Sequence, residues 1–413
     1  MVVRKRHFYE RSVFISTSTF SDFGLSPNLL RGVRELGFET PTPVQRMAIP
    51  PCLAGSDVLA SAQTGSGKSA AFGLPILEAV LKAPASGTQA LILVPTRELA
   101  QQITDHLRAL AKHTNVRIAA VYGGVRMASQ IQAFRRNHEI IVATPGRLID
   151  LISQGEARLN NISTLVLDEA DRMLDMGFLP AVRRIVAKLP NRKQTLFFSA
   201  TLAGTAGALA NELLSHPVRI NLAPTTTPVE SVTQTVYAVD QHKKTDLLVD
   251  LLADNSIYSA LVFTRTKHRA ERLAGVLSRH NVGAERIHGD RSQAQRARAL
   301  EAFKKGRYRV LVATDVAARG IDIADLGHVI NYDVPNEAAD YVHRIGRTGR
   351  AQKVGDAITF VSQDEVDLFA AIERSIGKRV NRGEHRLSDA SVGKTLETPP
   401  PARRRTFQRR RRR

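Results

Sequence analysis

Runs of three to five apolar residues recur along this chain, too short for helices and without strand-like alternation, between longer stretches patterned every three to four positions. Val58-Leu59-Ala60, Leu91-Ile92-Leu93-Val94, Ile140-Ile141-Val142, Thr164-Leu165-Val166-Leu167 and Leu196-Phe197-Phe198 read as strands buried on both faces, as in parallel sheets covered by helices. Leu99, Ile103, Leu107 and Leu110 fall at helical spacing and predict a helix covering one sheet face. Such alternation predicts a doubly wound parallel α/β architecture. It breaks at Leu222-Ala223-Pro224-Thr225-Thr226-Thr227-Pro228, which has the chemistry of a linker. It resumes with strands at Thr235–Val239, Leu261–Phe263, Val310–Ala313 and Val329-Ile330. Two α/β domains are expected, at residues 20–222 and 232–377, joined by a linker at 223–231 and preceded by a basic arm at 1–19. From Lys378 on, regularity fades into Pro399-Pro400-Pro401 and an arginine run, so 378–413 is expected to be a disordered basic tail.

With 43% hydrophobic and 24% charged residues among 413, the chain can bury full cores. The formal net charge of +20 points to a polyanionic partner, nucleic acid before an anionic membrane. A single cysteine, Cys52, follows two prolines among apolar neighbours and reads as a small core residue. One cysteine makes no intrachain disulfide, which fits a reducing, cytoplasmic compartment. No apolar run approaches the ~18 residues that a membrane helix requires. Val13-Phe14-Ile15 is too short for a signal-peptide core; the basic start reads as an arm, with an organelle transit peptide as the alternative.

The segment Ala62-Gln63-Thr64-Gly65-Ser66-Gly67-Lys68-Ser69 follows one expected strand and opens an expected helix, the context that makes a glycine-rich loop a phosphate site. Gly65 and Gly67 permit backbone angles that aim N–H groups at phosphate oxygens, and the helix N-terminus adds partial positive charge. Lys68 suits the β- and γ-phosphates of ATP, and the Ser69 hydroxyl suits Mg²⁺. Asp168 ends the strand Thr164–Leu167, where a second metal-binding group belongs, and Glu169 can orient the attacking water. Downstream, Arg347 and Arg350 lie in His343-Arg344-Ile345-Gly346-Arg347-Thr348-Gly349-Arg350; a guanidinium fork can stabilise charge developing on the γ-phosphate. The second domain has no glycine-lysine loop, so one ATP per chain is expected.

In this order the motifs resemble those of the DEAD-box RNA helicases, and more narrowly the bacterial RhlE-like group. Gly37–Gln45 resembles the family's Q motif, whose glutamine amide can pair with the adenine edge. The resemblance implies tandem RecA-like domains and further roles. Phe20 would stack on the base, although it also reads as a core anchor and Phe23 competes for the role. Asp322 would touch the ribose. Asp171, Ser199, Thr201, Arg319, His343 and Arg344 would couple nucleotide to domain closure.

Pro95-Thr96-Arg97, Gly123-Gly124 and Thr144-Pro145-Gly146-Arg147 each follow an expected strand of the first domain. Open α/β sheets bind ligands at the carboxyl ends of strands, and these residues suit a phosphodiester backbone without reading bases. By resemblance the second domain adds Arg265, Thr266, Gly289 and Thr314, and the partner is RNA, with ribosome-assembly or RNA-decay proteins as further company for a monomeric core. Tryptophan is absent, so affinity should rest on charge and backbone shape rather than base stacking. The reading is an RNA-stimulated ATPase that separates short duplexes locally; the alternative is an ATP-gated RNA clamp.

Overall fold

Short aliphatic and β-branched runs form the strands of two parallel sheets, one in each of two units that divide between Pro224 and Thr225. The computed structural model describes residues 19–62, 65–82, 87–202, 204–222, 232–254, 256–318, 326–348 and 355–397; the expected linker and all of the expected arm but Thr19 lie outside them.

In the first unit the strands are β1 (Val58–Ser61), β2 (Ala90–Leu93), β3 (Ile118–Val121), β4 (Ile140–Ala143), β5 (Thr164–Leu167), β6 (Gln194–Ser199) and β7 (Val218–Asn221). They pair in the order β3-β4-β2-β5-β6-β1-β7, every neighbour parallel. Alternate residues of a strand face opposite sides: Ala60, Ile92 and Val166 enter one core, Leu59, Leu91 and Leu165 the other. The first core is closed by α1 (Pro27–Glu35), α2 (Pro43–Leu53), α3 (Lys68–Lys82) and α4 (Arg97–Leu110). The second is closed by α5 (Met127–Arg135), α6 (Pro145–Ser153), α7 (Ala170–Asp175), α8 (Leu179–Val186) and α9 (Gly204–Leu213). The stripe Leu99, Ile103, Leu107 and Leu110 lies on α4 and is buried. Cys52 is a buried free thiol whose pKa burial pushes up, so it has little nucleophilic character.

The second unit holds β8 (Val232–Ala238), β9 (Ala260–Phe263), β10 (Ala284–Ile287), β11 (Val310–Ala313), β12 (His328–Asn331), β13 (Gly355–Val361) and β14 (Asn381–Arg382). Their order, β10-β11-β9-β12-β13-β8-β14, repeats that of the first sheet with each strand number raised by seven, and all pairs are again parallel. Helices α10 (Lys244–Ala253) and α11 (Lys267–Arg279) cover one face; α12 (Gln293–Lys304), α13 (Asp315–Ala318), α14 (Ala338–Ile345), α15 (Val366–Ile376) and α16 (Ala390–Glu397) cover the other.

The repeat corrects one expectation. The second domain does not end at 377, because β14 pairs with β8 just as β7 pairs with β1. Helix α16 then lays Val392 and Leu396 into the core beside Val236 and Phe369. Arg382 fastens the extension, donating to both oxygens of Glu373 at 2.8 and 3.0 Å and to the Leu396 carbonyl at 3.2 Å. Hydropathy could not show this, since β14 is two polar residues at an edge. The arginine run 403–413 lies outside the described residues.

Candidate functional site

Strand β1 ends at Ser61 and α3 opens at Lys68, so the loop between them sits at the carboxyl edge of the sheet. Gly65 and Gly67 take φ of +86° and +93°, the left-handed region that favours glycine. Gly67 is required a second way: a Cβ there would stand 2.6 Å from Nε2 of Gln45. The Lys68 ammonium is buried and donates to the Ala62 carbonyl at 2.7 Å. Ala62, buried where the strict pattern wants glycine, donates its N–H to the Ser199 carbonyl at 3.1 Å and ties the loop to β6. Ser66 and Ser69 are half-buried; Gln63 and Thr64 lie outside the described residues.

The carboxylates Asp168, Glu169 and Asp171 gather just beyond the end of β5, which β6 separates from β1. Asp168 is 3% exposed. Burial pushes its carboxyl up to about 6, against the opposing pull of the Lys68 charge. A buried carboxylate so placed is poised for a cation. Among the described residues no cluster of three or more His, Cys, Asp or Glu could hold a metal. Of the two residues expected to meet Mg²⁺, Asp168 is buried and Ser69 half-buried; a hydroxyl and a carboxylate are hard-oxygen donors of the kind that Mg²⁺ accepts beside waters and phosphate oxygens.

Glu169 caps α7 in the left-handed conformation, φ +50°, a placement that costs a non-glycine residue on the order of 1 kcal/mol. Its carboxylate is gripped by Arg172 at 2.6 Å, both side chains buried. Sequence reasoning missed Arg172; the i, i+3 spacing from Glu169 was the available signal. Asp171 accepts from the Thr201 N–H at 2.8 Å and hydroxyl at 3.2 Å, and its own N–H donates to Ser199 Oγ at 3.3 Å. The expected coupling trio is therefore in contact.

Gln45 does two jobs that the adenine-reading role expected of it did not suggest. Its Oε1 accepts from the Thr42 N–H at 2.8 Å, closing a capping box on α2, and its Nε2 donates to the Gly67 carbonyl at 3.1 Å. Phe20 is a core ring, 6.0 Å from Phe23 and stacked 6.2 Å from Phe38.

The first unit's other three segments follow β2, β3 and β4, consecutive at the sheet's edge. Arg97 lies across Gly124, whose φ is +81° and where a Cβ would stand 2.0 Å from Nη1. Arg147 donates to the Val125 carbonyl at 3.2 Å, joining the second and third segments. Pro95, Thr96 and Thr144 are buried, and Thr96 caps α4 by accepting from the Leu99 N–H. Gly124 and Gly146 are exposed while Arg97 and Arg147 are half-buried, so glycine backbone, rather than threonine side chains, faces solvent here.

In the second unit Arg265 is exposed, yet its guanidinium donates to Glu365 at 2.8 Å and its N–H to Asp333 at 2.8 Å. Thr266 caps α11, Gly289 is exposed and Thr314 half-buried. Arg344 is a brace: it holds Asp315 with two donors and gives Nη1 to Asn331 Oδ1 and the Asp333 carbonyl. His343 is half-buried and Arg347 buried. Arg319, Asp322 and Arg350 lie outside the described residues.

Parallel sheets of this order, with a phosphate loop after β1 and an acidic strand end after β5, define a nucleotide hydrolase of RecA-like architecture. The DEAD/DEAH box helicase family matches residues 42–209 and the helicase conserved C-terminal domain residues 243–352. The chain is 43% identical over 383 residues to the DEAD-box ATP-dependent RNA helicase CshA of Bacillus subtilis (strain 168), covering 92% of this chain and 77% of that one. CshA of Geobacillus kaustophilus (strain HTA426) is 43% identical over 365 residues, covering 88% and 78%. Among solved structures, S. cerevisiae Dbp5 bound to RNA and ADP BeF3 is similar at TM-score 0.81 and 32% identity, covering 92% of this chain and all of that one. DEAD-box helicase Mss116 bound to ssRNA and UDP-BeF is similar at TM-score 0.82 and 27% identity, covering 92% and 82%. The chain belongs to the DEAD-box family of ATP-dependent RNA helicases. These relatives carry the CshA name and do not support the narrower RhlE-like placement.

Proposed function

We propose that the chain binds one ATP with Mg²⁺ on its first unit and spends each turnover on local separation of a short RNA duplex. The observation that carries this is the meeting, at the ends of β1, β5 and β6, of a lysine loop, a buried aspartate and an Asp171–Ser199–Thr201 relay. Lys68 and the loop N–H groups hold the phosphates, Ser69 and Asp168 would hold the metal, and Glu169 orients water. Gln45 reads adenine while tying the base pocket to Gly67. Mg²⁺, when bound, neutralises charge on the phosphate oxygens. Arg347 and Arg350 complete the chemistry when the second unit closes on the nucleotide, and RNA runs over Arg97, Gly124 and Arg147. Helix α6, which begins at Pro145, acts as the wedge that bends the strand.

Among the described residues no helix is long and apolar enough to cross a membrane. A cytoplasmic monomer working on RNA, with ribosome-assembly or RNA-decay proteins as company, fits this and the single buried thiol. The test is strand separation of a short RNA duplex under ATP and under a nonhydrolysable analogue, alongside ATPase with and without RNA. Separation under ATP with RNA-stimulated turnover is expected. RNA retention with no separation under either nucleotide would identify a clamp instead.

A further inference from the structure

The second unit buries a lysine that the proposed mechanism leaves unused. Lys244 opens α10, the helix after β8, and β8 holds in its sheet the place that β1 holds in the first. Lys68 opens the helix after β1. The two lysines therefore occupy the same position in the two copies of the fold, although Val239–Lys243 contains no glycine to announce it.

Lys244 is fully buried. Its ammonium donates to Glu365 at 2.5 Å and to the Tyr332 and Phe360 carbonyls at 3.0 and 3.4 Å. Glu365 lies beyond β13, the counterpart of β6, whose end carries Ser199 and Thr201 in the first unit. Asp333 and Val334 lie beyond β12, the counterpart of β5 with Asp168. Burial pushes the Lys244 ammonium toward its neutral form and the Glu365 carboxylate opposes that. The other Glu365 oxygen accepts from Arg265 at 2.8 Å and from the Val334 N–H at 3.3 Å.

We propose that Lys244 is a phosphate-site lysine permanently answered by an internal anion, Glu365, and that the same carboxylate positions Arg265 on the RNA track. The first clause rests on the repeat and the buried contacts; the second rests on the RNA-binding role that the family resemblance implies for Arg265. A single nucleotide site per chain then has a structural cause, since the second lysine is already neutralised.

The test uses the full chain and single-stranded RNA over a series of salt concentrations. Glu365→Gln should flatten the log–log salt slope by ~0.7, the loss of one phosphate contact on a single strand. Arg265→Ala should flatten it equally, and the pair together no further. A merely structural role for Glu365 would lower melting temperature and leave the slope unchanged, which overturns the positioning claim. If Arg265→Ala itself leaves the slope unchanged, the assignment of Arg265 to the track fails and the positioning claim with it. Lys244→Met with Glu365→Gln removes both buried charges, so it keeps the test open should the single variant not fold. The anion-site claim is read separately: acetate, against chloride at matched ionic strength, should raise the melting temperature of Glu365→Ala and not of wild type. No acetate-specific rise overturns it.

Discussion

Glu169 combines a backbone conformation that glycine would adopt more easily with a carboxylate locked to Arg172. Strain held by neighbours at one acidic residue marks a fixed orientation, as activating a water requires. Glu169→Gln keeps an oxygen for Arg172 but cannot take a proton. Expected is ATP and RNA binding near wild type with RNA-stimulated turnover lost; Lys68→Ala should instead lose nucleotide affinity, so binding titrations separate the two. Gln45→Ala removes a helix cap and a tie to Gly67 together with the adenine contact proposed for it. Discrimination against GTP should fall by ~1–3 kcal/mol and stability by ~1 kcal/mol, read by competition binding and by thermal melting.

Asp168 makes a pH prediction whose sign follows from its raised pKa. The folded value of about 6 lies above the ordinary 3.8, so protonation favours the fold without nucleotide. That contribution, on the order of 3 kcal/mol, is complete below the ordinary value and is lost as pH rises through about 6. Metal binding needs the ionised form. Affinity for Mg²⁺–ATP should therefore fall nearly tenfold per pH unit below about 6, and Asp168→Asn should weaken binding and abolish this dependence.

At the scale of elements, legibility followed burial. Central strands such as β2 and β5 are covered on both faces, so they appear in the sequence as unbroken aliphatic runs. The edge strands β3, β7, β10 and β14 have one neighbour each; Arg219 in β7 and Glu285 and Arg286 in β10 interrupt the hydropathy, β14 is two polar residues, and β3 is apolar but centred on two alanines. β13 is central but mixes Asp356 and Thr359 into its run. The phosphate loop and Asp168 were legible because strand, loop and helix stand in one order. Lys244 and Glu365 were not, because an ion pair closed by the fold across 121 residues has no periodicity; Arg172 offered only its i, i+3 spacing from Glu169. Truncation after residue 377 should strip β8 of one of its two neighbours, β14, and expose the sites of Val392 and Leu396. With ~1.5–3 kcal/mol for each apolar side chain, the second unit should lose about 3–6 kcal/mol and become prone to aggregation. Truncation after residue 397 should leave urea and thermal unfolding unchanged.

The whole molecule carries +20, of which eight charges are arginines between 403 and 413, leaving +12 on the remainder. A polycation on the same chain as the proposed RNA track should raise RNA affinity by releasing counterions, with a salt slope of ~0.7 per phosphate engaged. If about five arginines engage, their contribution should weaken roughly a hundredfold between ~50 and ~200 mM salt. Removing residues 398–413 should therefore give weaker binding, a shallower slope and an unchanged ATPase rate at saturating RNA. An unchanged slope would leave solubility as the role of the run; a collapsed saturated rate would place it in the catalytic cycle.

The matching strand orders of the two sheets bear on how the chain comes apart. Each copy closes its own cores over its own sheet, so each can behave as a separate cooperative block. A ligand raises the melting of the block it binds, by about 2.7 kcal/mol at a hundred times its Kd. Nucleotide should thus act as a selective label in calorimetry, pulling one endotherm upward while the other, whose lysine already has its anion, stays where it was.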